Sequence, residues 1–195
     1  MQAECNDNPS MTDHQFEQAL AACRKVFADK LHDYGASWRI MRPQTVTDQL
    51  FIKAKRIRTI ETTGENHVGE GVRGEFIALV NYGLVGIIQL SLPCADRIDT
   101  TPDEALSLYD THAKAAFELM KRKNHDYGEA WREMRVSSYT DLILTKIERI
   151  KEIEDHCGKT MVSEGIASNY MDIINYALFG IIRIDERMGK GKAEE

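Results

Sequence analysis

Four carboxylates in the C-terminal half of this 195-residue chain are the side chains whose type and spacing suggest chemistry. They are Glu148, Glu152, Glu164 and Asp172. Clustered carboxylates repel one another unless cations neutralise them, and ligand sets made only of oxygen favour Mg²⁺ or Mn²⁺ over Zn²⁺. We therefore expect a magnesium (or manganese) site formed by all four, with Glu148 and Glu152 also as the catalytic residues. Replacing Asp172 with Asn should then abolish metal binding and, by relieving repulsion between carboxylates, raise the melting temperature.

Two cationic side chains and one amide accompany these carboxylates. Lys146 and Arg149 flank the acidic cluster and could hold the phosphate oxygens of a substrate, or could only form ion pairs with the carboxylates. Asn175 follows Asp172 by three residues, so both lie on one face of a helix. We expect Lys146, Arg149 and Asn175 to bind substrate.

Helical periodicity predicts that Asp172 lies in a buried place between two antiparallel helices. On a helical wheel of about 100° per residue, the segment 163–187 has apolar residues on both arcs beyond Asn175. A helix that is apolar all round is buried, and a buried carboxylate needs a partner or a metal. The preceding helix has a polar face that carries Glu148 and Glu152. The alternative is that these carboxylates lie on solvated helix faces.

An internal repeat organises the chain. Residues 32–42 are HDYGASWRIMR and residues 125–135 are HDYGEAWREMR, so eight of eleven positions are identical at an offset of 93 residues. Further matches continue at an offset of 93 and then 94, along units of about 90 residues. Such units are longer than solenoid repeats, which favours a pseudo-dimer within one chain. We predict a first repeat over 12–92 and a second repeat over 101–187, which together form one compact unit.

The differences between the repeats predict which of them carries the site. At the positions of Glu148, Glu152 and Asp172, the first repeat has Lys55, Thr59 and Ala78. We therefore expect the chemistry in the second repeat and a scaffold in the first. Lys55 could still reach across a pseudo-twofold axis toward an anion bound in the second repeat, so we count it among the substrate-binding residues.

Helical spacing dominates the chain, and the sequence predicts an all-α fold with three main helices in each repeat. The predicted second helices span 47–61 and 140–155, and the predicted third helices span 68–92 and 163–187. The first helices are predicted to begin at the capping-box patterns of Thr12 and Thr101, and to end at the Asp-Tyr-Gly strings. A short helical piece is expected around each tryptophan. Short connections favour an internally duplicated antiparallel helical bundle with pseudo-twofold symmetry, in which the third helices pack together.

Composition and charge narrow the function classes. The chain is 43% hydrophobic and 29% charged, and its net charge of −6 does not favour an extended nucleic-acid-binding face. The longest apolar stretch, 77–92, is interrupted by Asn81 and Gln89 and is short for a membrane span. The four cysteines show no paired spacing, and the polar N-terminus carries no apolar h-region, so we expect no secretory signal. We expect a cytoplasmic protein that binds no membrane, and a homodimer stays open.

A family resemblance rests on positions in the second repeat. They are KNHDYG at 123–128, Asp141, Lys146, Arg149, Glu164 and D-x-x-N-Y at 172–176. The set resembles the nucleotide-modification-associated domain family, the first of that name, and is more distantly similar to the MazG-like and all-α dUTPase nucleoside triphosphate pyrophosphohydrolases. The distant resemblance implies Mg²⁺ on carboxylates of two adjacent helices and cleavage between the α- and β-phosphates. On the hypothesis that the substrate is a nucleotide, we expect Asn124 and Asp126 to contact its sugar or base. The second acidic pair of that superfamily is half degenerate here, as N-x-x-D at 169–172 and E-x-x-A at 75–78.

Two function hypotheses follow. The leading one is a Mg²⁺-dependent hydrolase of a nucleoside triphosphate or of a related modified nucleotide. The rival is a non-catalytic nucleotide-binding or structural helical module, which the half-degenerate acidic pairs favour. Two features stay open between a structural and a binding role: the repeated His-Asp-Tyr-Gly string could be a helix stop or a nucleotide contact, and Trp38 and Trp131 could be core aromatics or base-stacking platforms.

Overall fold

The computed structural model describes residues 10–67, 69, 71–161 and 164–191. In this part of the chain there are six α-helices, two short 3₁₀-helices and no strand. The α-helices are α1 (Met11–Tyr34), α2 (Pro43–Thr63), α3 (Val72–Ser91), α4 (Pro102–Tyr127), α5 (Val136–Asp155) and α6 (Ile166–Gly191). The 3₁₀-helices, Ser37–Ile40 and Ala130–Glu133, contain the two tryptophans. The predicted all-α fold, with three main helices and one short piece in each repeat, is confirmed.

The first helix begins before its predicted cap. Ser10 is the N-cap of α1, because its side chain accepts a hydrogen bond from the backbone N–H of Asp13 while the Asp13 carboxylate accepts from the N–H of Ser10. The prediction that Thr12 caps α1 is therefore wrong. Thr12 lies in the first turn, and its hydroxyl bonds Glu129 of the second repeat instead. The predicted capping box at Thr101 is confirmed.

The repeated Asp-Tyr-Gly strings end α1 and α4 as predicted. Gly35 and Gly128 follow the two helices with φ values of 65° and 61°, a region that disfavours side chains with a Cβ. The Gly35 N–H donates to the carbonyl of Leu31 at 2.9 Å. The strings therefore act as helix stops, and the tyrosine of each is largely exposed.

The third helices of the repeats, α3 and α6, form the most extensive helix–helix contact in the molecule. A Cβ placed on Gly86 would lie 2.6 Å from Cζ of Tyr170, and a Cβ on Gly180 would lie 2.9 Å from Cε1 of Phe76. These four residues are two equivalent pairs, because Phe76 and Gly86 correspond to Tyr170 and Gly180 at an offset of 94. Each repeat thus seats its aromatic ring on the glycine of the other, which confirms the predicted packing of the third helices.

Two reciprocal hydrogen bonds repeat this symmetry between the second helices. The Thr47 hydroxyl donates to Glu154 at 2.8 Å, and the equivalent Thr140 donates to Glu61 at 3.1 Å. Burial raises the pKa of both carboxyls, although the threonine bond opposes it. The pairs join α2 of one repeat to α5 of the other.

The arginine after each tryptophan fixes the start of the opposite repeat. Arg39 is almost fully buried, and its guanidinium donates to Asp99 at 2.8 Å and to the carbonyl of Pro93 at 2.9 Å, just before α4. The equivalent Arg132 donates to Thr12 at 2.8 Å, in the first turn of α1. These hydrogen bonds tie each repeat to the start of the first helix of the other, so the two repeats share one core.

Helix α3 is long and apolar enough to cross a membrane, with a mean hydropathy of 1.3, and no other helix in the described chain is. Of that apolar window, 72% is buried inside the protein, as expected for the central helix of a helical bundle. Among the described cysteines, Cys23, Cys94 and Cys157 are free thiols.

Candidate functional site

The four predicted metal ligands do not come together. Glu148, Glu152 and Glu164 are exposed, and Glu148 pairs with Lys151 at 3.2 Å. Within the described ranges, no group of three or more His, Cys, Asp or Glu side chains is placed to hold a metal ion. The expected convergence is absent because the polar face of α5 points to solvent, whereas Asp172 lies on a buried face of α6. The residues present do not fit a divalent metal in this arrangement, and magnesium binding stays a prediction.

Asp172 is buried as predicted, but its partners are lysines. One carboxylate oxygen pairs with Lys123 of α4, and the other lies 2.6 Å from Nζ of Lys146 on α5. Burial by itself would raise the pKa of Asp172, but the hydrogen bonds from Lys123 and Lys146 outweigh it and lower the pKa. Lys146 is therefore neutralised within the protein, and the carboxylate joins three helices.

Asn124, unlike Asp126 and Arg149, is engaged inside the protein. Asn124 donates to Glu129 at 3.0 Å and accepts from the indole N–H of Trp131 at 3.2 Å, so its amide is used internally. Asp126 is exposed, and Arg149 on α5 is exposed as well. Asn124 thus holds the tryptophan in place, while Asp126 and Arg149 face solvent.

Two further predicted residues differ sharply in their surroundings. Asn175 is buried, and both its amide nitrogen and its amide oxygen lack a hydrogen-bond partner among the described residues. Lys55 is exposed, with its Nζ 6.0 Å from the ring centroid of Phe51. Lys151 of α5 contacts the same ring at 3.5 Å. Lys55 therefore lies beside the second repeat but not at Asp172, and Asn175 carries unused hydrogen-bonding capacity.

A cavity of about 540 Å³ opens in the first repeat, where the sequence predicted only a scaffold. Its lining is Val26, Phe27, Lys30, Leu31, Tyr34, Gly35, Ser37, Trp38, Met41, Lys53, Gly71, Gly74, Glu75, Ile77, Ala78, Asn81, Tyr82 and Val85. None of the expected metal ligands or substrate-binding residues belongs to this lining, but Tyr34, Gly35 and Trp38, whose binding role the sequence left open, do. The volume is within the range of about 300–1,000 Å³ that small-molecule sites occupy.

Two buried polar atoms in the cavity lining have no hydrogen-bond partner among the described residues: Nε1 of Trp38 and Oε2 of Glu75. Buried polar groups are nearly always hydrogen-bonded, so such atoms at a cavity call for an explanation. In the second repeat, Asn124 accepts the bond from Trp131, but Leu31 stands at the equivalent position. The indole N–H of Trp38 therefore has no acceptor among the described residues.

Charges at the cavity are unevenly satisfied. The Glu75 carboxylate pairs with Arg56, and its Oε2 lies 3.4 Å from Nζ of Lys53. Lys30 has no ion-pair partner in the described part of the chain. In the second repeat the equivalent lysine, Lys123, pairs with Asp172. The first repeat has Ala78 at the position of Asp172, so it offers Lys30 no such carboxylate. The cavity therefore combines aromatic walls, a buried donor, a buried acceptor and an unneutralised cation.

The profile of one family matches the chain twice, over residues 30–90 and 123–184. The family is described as Nucleotide modification associated domain 1, and its two matches cover more than half of the chain. The chain belongs to this family. Because one match falls in each repeat, the chain contains two copies of the Nucleotide modification associated domain 1. Neither the comparison with curated proteins nor that with solved structures gave a match.

Each copy of the Nucleotide modification associated domain 1 includes the residues that differ between the repeats. The first match contains the cavity residues Lys30, Trp38, Glu75 and Ala78, apart from lining in α1 before residue 30. The second match contains the Asp172 cluster. The distant similarity to nucleoside triphosphate pyrophosphohydrolases receives no support from these comparisons and stays an expectation.

Proposed function

We propose that this protein binds a nucleotide, as part of nucleotide modification, in the cavity of the first repeat. The observation that carries the proposal is the buried indole N–H of Trp38, which has no hydrogen-bond partner among the described residues, in the lining of an aromatic cavity. Glu75 Oε2, in the same lining, accepts no hydrogen bond from a described residue, although Nζ of Lys53 lies 3.4 Å away. The membership in the Nucleotide modification associated domain 1 family supports the ligand class.

The cavity is complementary to a nucleobase. Phe27, Tyr34, Trp38 and Tyr82 contribute aromatic surface, and bases stack on aromatic side chains. The edge of a base carries hydrogen-bond donors and acceptors side by side. An indole N–H can donate to a ring nitrogen or carbonyl oxygen, and the Glu75 carboxylate can accept from an amino group. We therefore expect adenine, cytosine or guanine to bind more tightly than thymine or uracil.

Lysines supply the contact for the phosphate. Lys30 is exposed and lacks an ion-pair partner in the described chain, and Lys53 is only 27% exposed beside Glu75. A phosphate oxygen that contacts such a cation forms a charge-assisted bond, which is about twice as strong as a neutral one. Because the contact is partly exposed, we expect nucleotide affinity to fall as the salt concentration rises.

The geometry supports binding more strongly than hydrolysis. The expected Mg²⁺-dependent hydrolase needs several carboxylates at one place, and the described residues provide no such group. Cleavage of a phosphoanhydride bond stays a prediction.

Fluorescence of the two tryptophans can test the proposal, because only one of them lines the cavity. Trp38 lines the cavity, whereas Trp131 stacks on Phe179 with ring centroids 4.4 Å apart. We expect saturable quenching when deoxynucleoside monophosphates or triphosphates are titrated into the wild-type protein. The W131F variant should keep the quenching, and the W38F variant should lose it.

Two results would contradict the proposal. One is the absence of saturable binding by any of the four bases, measured also by calorimetry. The other is quenching that persists in W38F, which would place the ligand elsewhere. Release of phosphate or pyrophosphate from triphosphates with Mg²⁺ or Mn²⁺ would instead restore the hydrolase hypothesis, and the amount released by the E148Q and E152Q variants would then test the predicted catalytic residues.

A further inference from the structure

The third helices of the two repeats each carry one buried carboxylate, but at different positions. Glu75 on α3 corresponds to Asn169 on α6, and Ala78 on α3 corresponds to Asp172 on α6, both at an offset of 94. Glu75 and Asp172 are 1% and 6% exposed. The acid has thus moved by one helical turn between the repeats, and its position decides which cations it reaches.

In the second repeat the carboxylate neutralises two lysines. Asp172 pairs with Lys123 near the end of α4 and with Lys146 on α5. The equivalent lysines of the first repeat are Lys30 and Lys53, and both line the cavity. The second repeat therefore places a carboxylate between Lys123 and Lys146, whose equivalents border the open cavity of the first repeat.

In the first repeat the same place is open. Ala78 has only a methyl group where Asp172 has a carboxylate, and Ala78 lines the cavity. Glu75, one turn away, pairs with Arg56 and Lys53 and does not pair with Lys30. A ligand anion can therefore meet Lys30 in the first repeat without competing with a protein carboxylate.

The second repeat nevertheless keeps polar groups that the protein does not use. Both side-chain polar atoms of Asn175 are buried without a hydrogen-bond partner among the described residues. The equivalent Asn81 is satisfied, because it donates to the carbonyl of Cys23 at 3.1 Å and accepts from the hydroxyl of Tyr109 at 2.9 Å. A buried, unsatisfied amide one turn from Asp172 points to a second ligand site.

We infer that the second repeat holds a closed copy of the same binding site, in which Asp172 occupies the place of the ligand anion. The inference rests on the proposed nucleotide binding by the first repeat, and it predicts one bound nucleotide per chain. Replacing Asp172 with Ala should open a second anion site at Lys123 and Lys146. Replacing Ala78 with Asp should close the first site by neutralising Lys30, since Lys53 already pairs with Glu75.

Calorimetric titration with dCMP, whose base carries an amino group, measures how many nucleotides each variant binds and how tightly. The wild type should bind one equivalent, D172A should bind two, and A78D should bind at least about tenfold more weakly than wild type. The A78N variant is the matched control, because Asn fills nearly the same space without the charge. A78N should retain more affinity than A78D, and thermal melts should show that both are folded.

Titration with inorganic phosphate, followed by ³¹P NMR, separates this inference from the proposed function. Phosphate binding by D172A above that of the wild type supports the second site even if the wild type binds no nucleotide. Wild-type affinity for dCMP that is unchanged in A78D, together with no added equivalent in D172A, overturns the inference and leaves the proposed function intact. If D172A does not fold, the comparison of A78D with A78N decides. Equal losses of dCMP affinity in both variants would show a steric effect and would overturn the inference.

Discussion

The Asp172→Asn variant tests the ion-pair cluster of the second repeat, and the structure reverses the sign expected from the sequence. Relief of carboxylate repulsion would raise the melting temperature, but Asp172 contacts two lysines and no acid. Asn keeps the shape and removes the charge, so Lys146, which is only 15% exposed, loses its counter-ion. We therefore expect D172N to be less stable than the wild type.

The size of the loss follows from burial. Removing one partner of a buried ion pair costs about 3–5 kcal/mol. Lys123 is 46% exposed, and water compensates part of its charge, so we expect about 2–3 kcal/mol here. For a domain of this size, that corresponds to a decrease of about 4–12 °C in the melting temperature.

Chemical denaturation at neutral pH measures this loss as the change in the free energy of unfolding. The E148Q variant is a control that removes an exposed carboxylate, 59% accessible, from its pair with Lys151, and it should change stability by less than about 1 kcal/mol. The K146M variant should be destabilised as well, because it leaves Asp172 with one lysine. In the double variant D172N/K146M the losses should be less than additive, since each single change already breaks the pair.

The pH dependence provides a second check with a defined sign. The folded pKa of Asp172 lies below its ordinary value of 3.8, so the ion pairs stabilise the protein fully above that value. The stabilisation disappears as the pH falls through the folded pKa. The difference in the free energy of unfolding between the wild type and D172N should therefore be constant near neutral pH and should disappear at low pH. Equal or higher stability of D172N at pH 7, or additive losses in the double variant, would refute the ion-pair interpretation.

Three further changes test the fold. Glu154→Gln should raise stability at pH 7, because burial raises the pKa of this carboxyl and disfavours its charged form in the folded protein. The gain in stability should vanish at low pH, which thermal melts over a range of pH can show. Gly86→Ala should destabilise by about 1–3 kcal/mol, since its Cβ would meet the ring of Tyr170, whereas Gly74→Ala, with open space around it, should not; urea denaturation compares them. Arg39→Met should lower the melting temperature by several degrees, as it removes one hydrogen bond to Gln89 of α3 and three to Pro93 and Asp99, in the segment that leads to the second repeat; unchanged melting would contradict that role.

The fold could be predicted from the sequence because the repeat and the helical spacing give consistent information. Every predicted main helix exists, and the third helices pack together at the glycines of both repeats. The start of α1 was misplaced because two capping patterns overlap, and the predicted pattern at Thr12 lies two residues after the observed box at Ser10. Local rules identify a helix end well, but they do not rank two neighbouring candidates.

The candidate site could be predicted only in part. The helical wheel correctly placed Asp172 and Asn175 in a buried position, because a wheel reports which face is apolar. It cannot report what reaches that face from another helix. Lys123 lies on α4, 49 residues before Asp172 in the sequence. Its long side chain extends to the carboxylate from a helix that the wheel does not include. The carboxylates of α5 were expected at the same place but face solvent.

The cavity of the first repeat was missed although its signals are present in the sequence. Ala78 stands in place of Asp172, which predicts the loss of a ligand, and Leu31 stands in place of Asn124. A smaller side chain removes a group but also creates space, and an apolar one removes the acceptor of Trp38. Whether the core collapses into such a space depends on packing around it, which spacing along the sequence does not specify.

The position of the acid, and not the number of charges, explains how one unit of a duplicated chain can be open and the other closed. Lys53 and Lys146 are 27% and 15% exposed on the second helices, and each needs a carboxylate from the third helix. Asp172 meets this need and also reaches the lysine at the end of α4. Glu75 meets it from one turn earlier, with Arg56 as its second partner, and leaves Lys30 unpaired by any described side chain. Both repeats thus keep the ion pair that packing requires. The first repeat leaves the lysine at the end of its first helix without a described ion-pair partner beside a cavity, whereas the second repeat pairs it with Asp172.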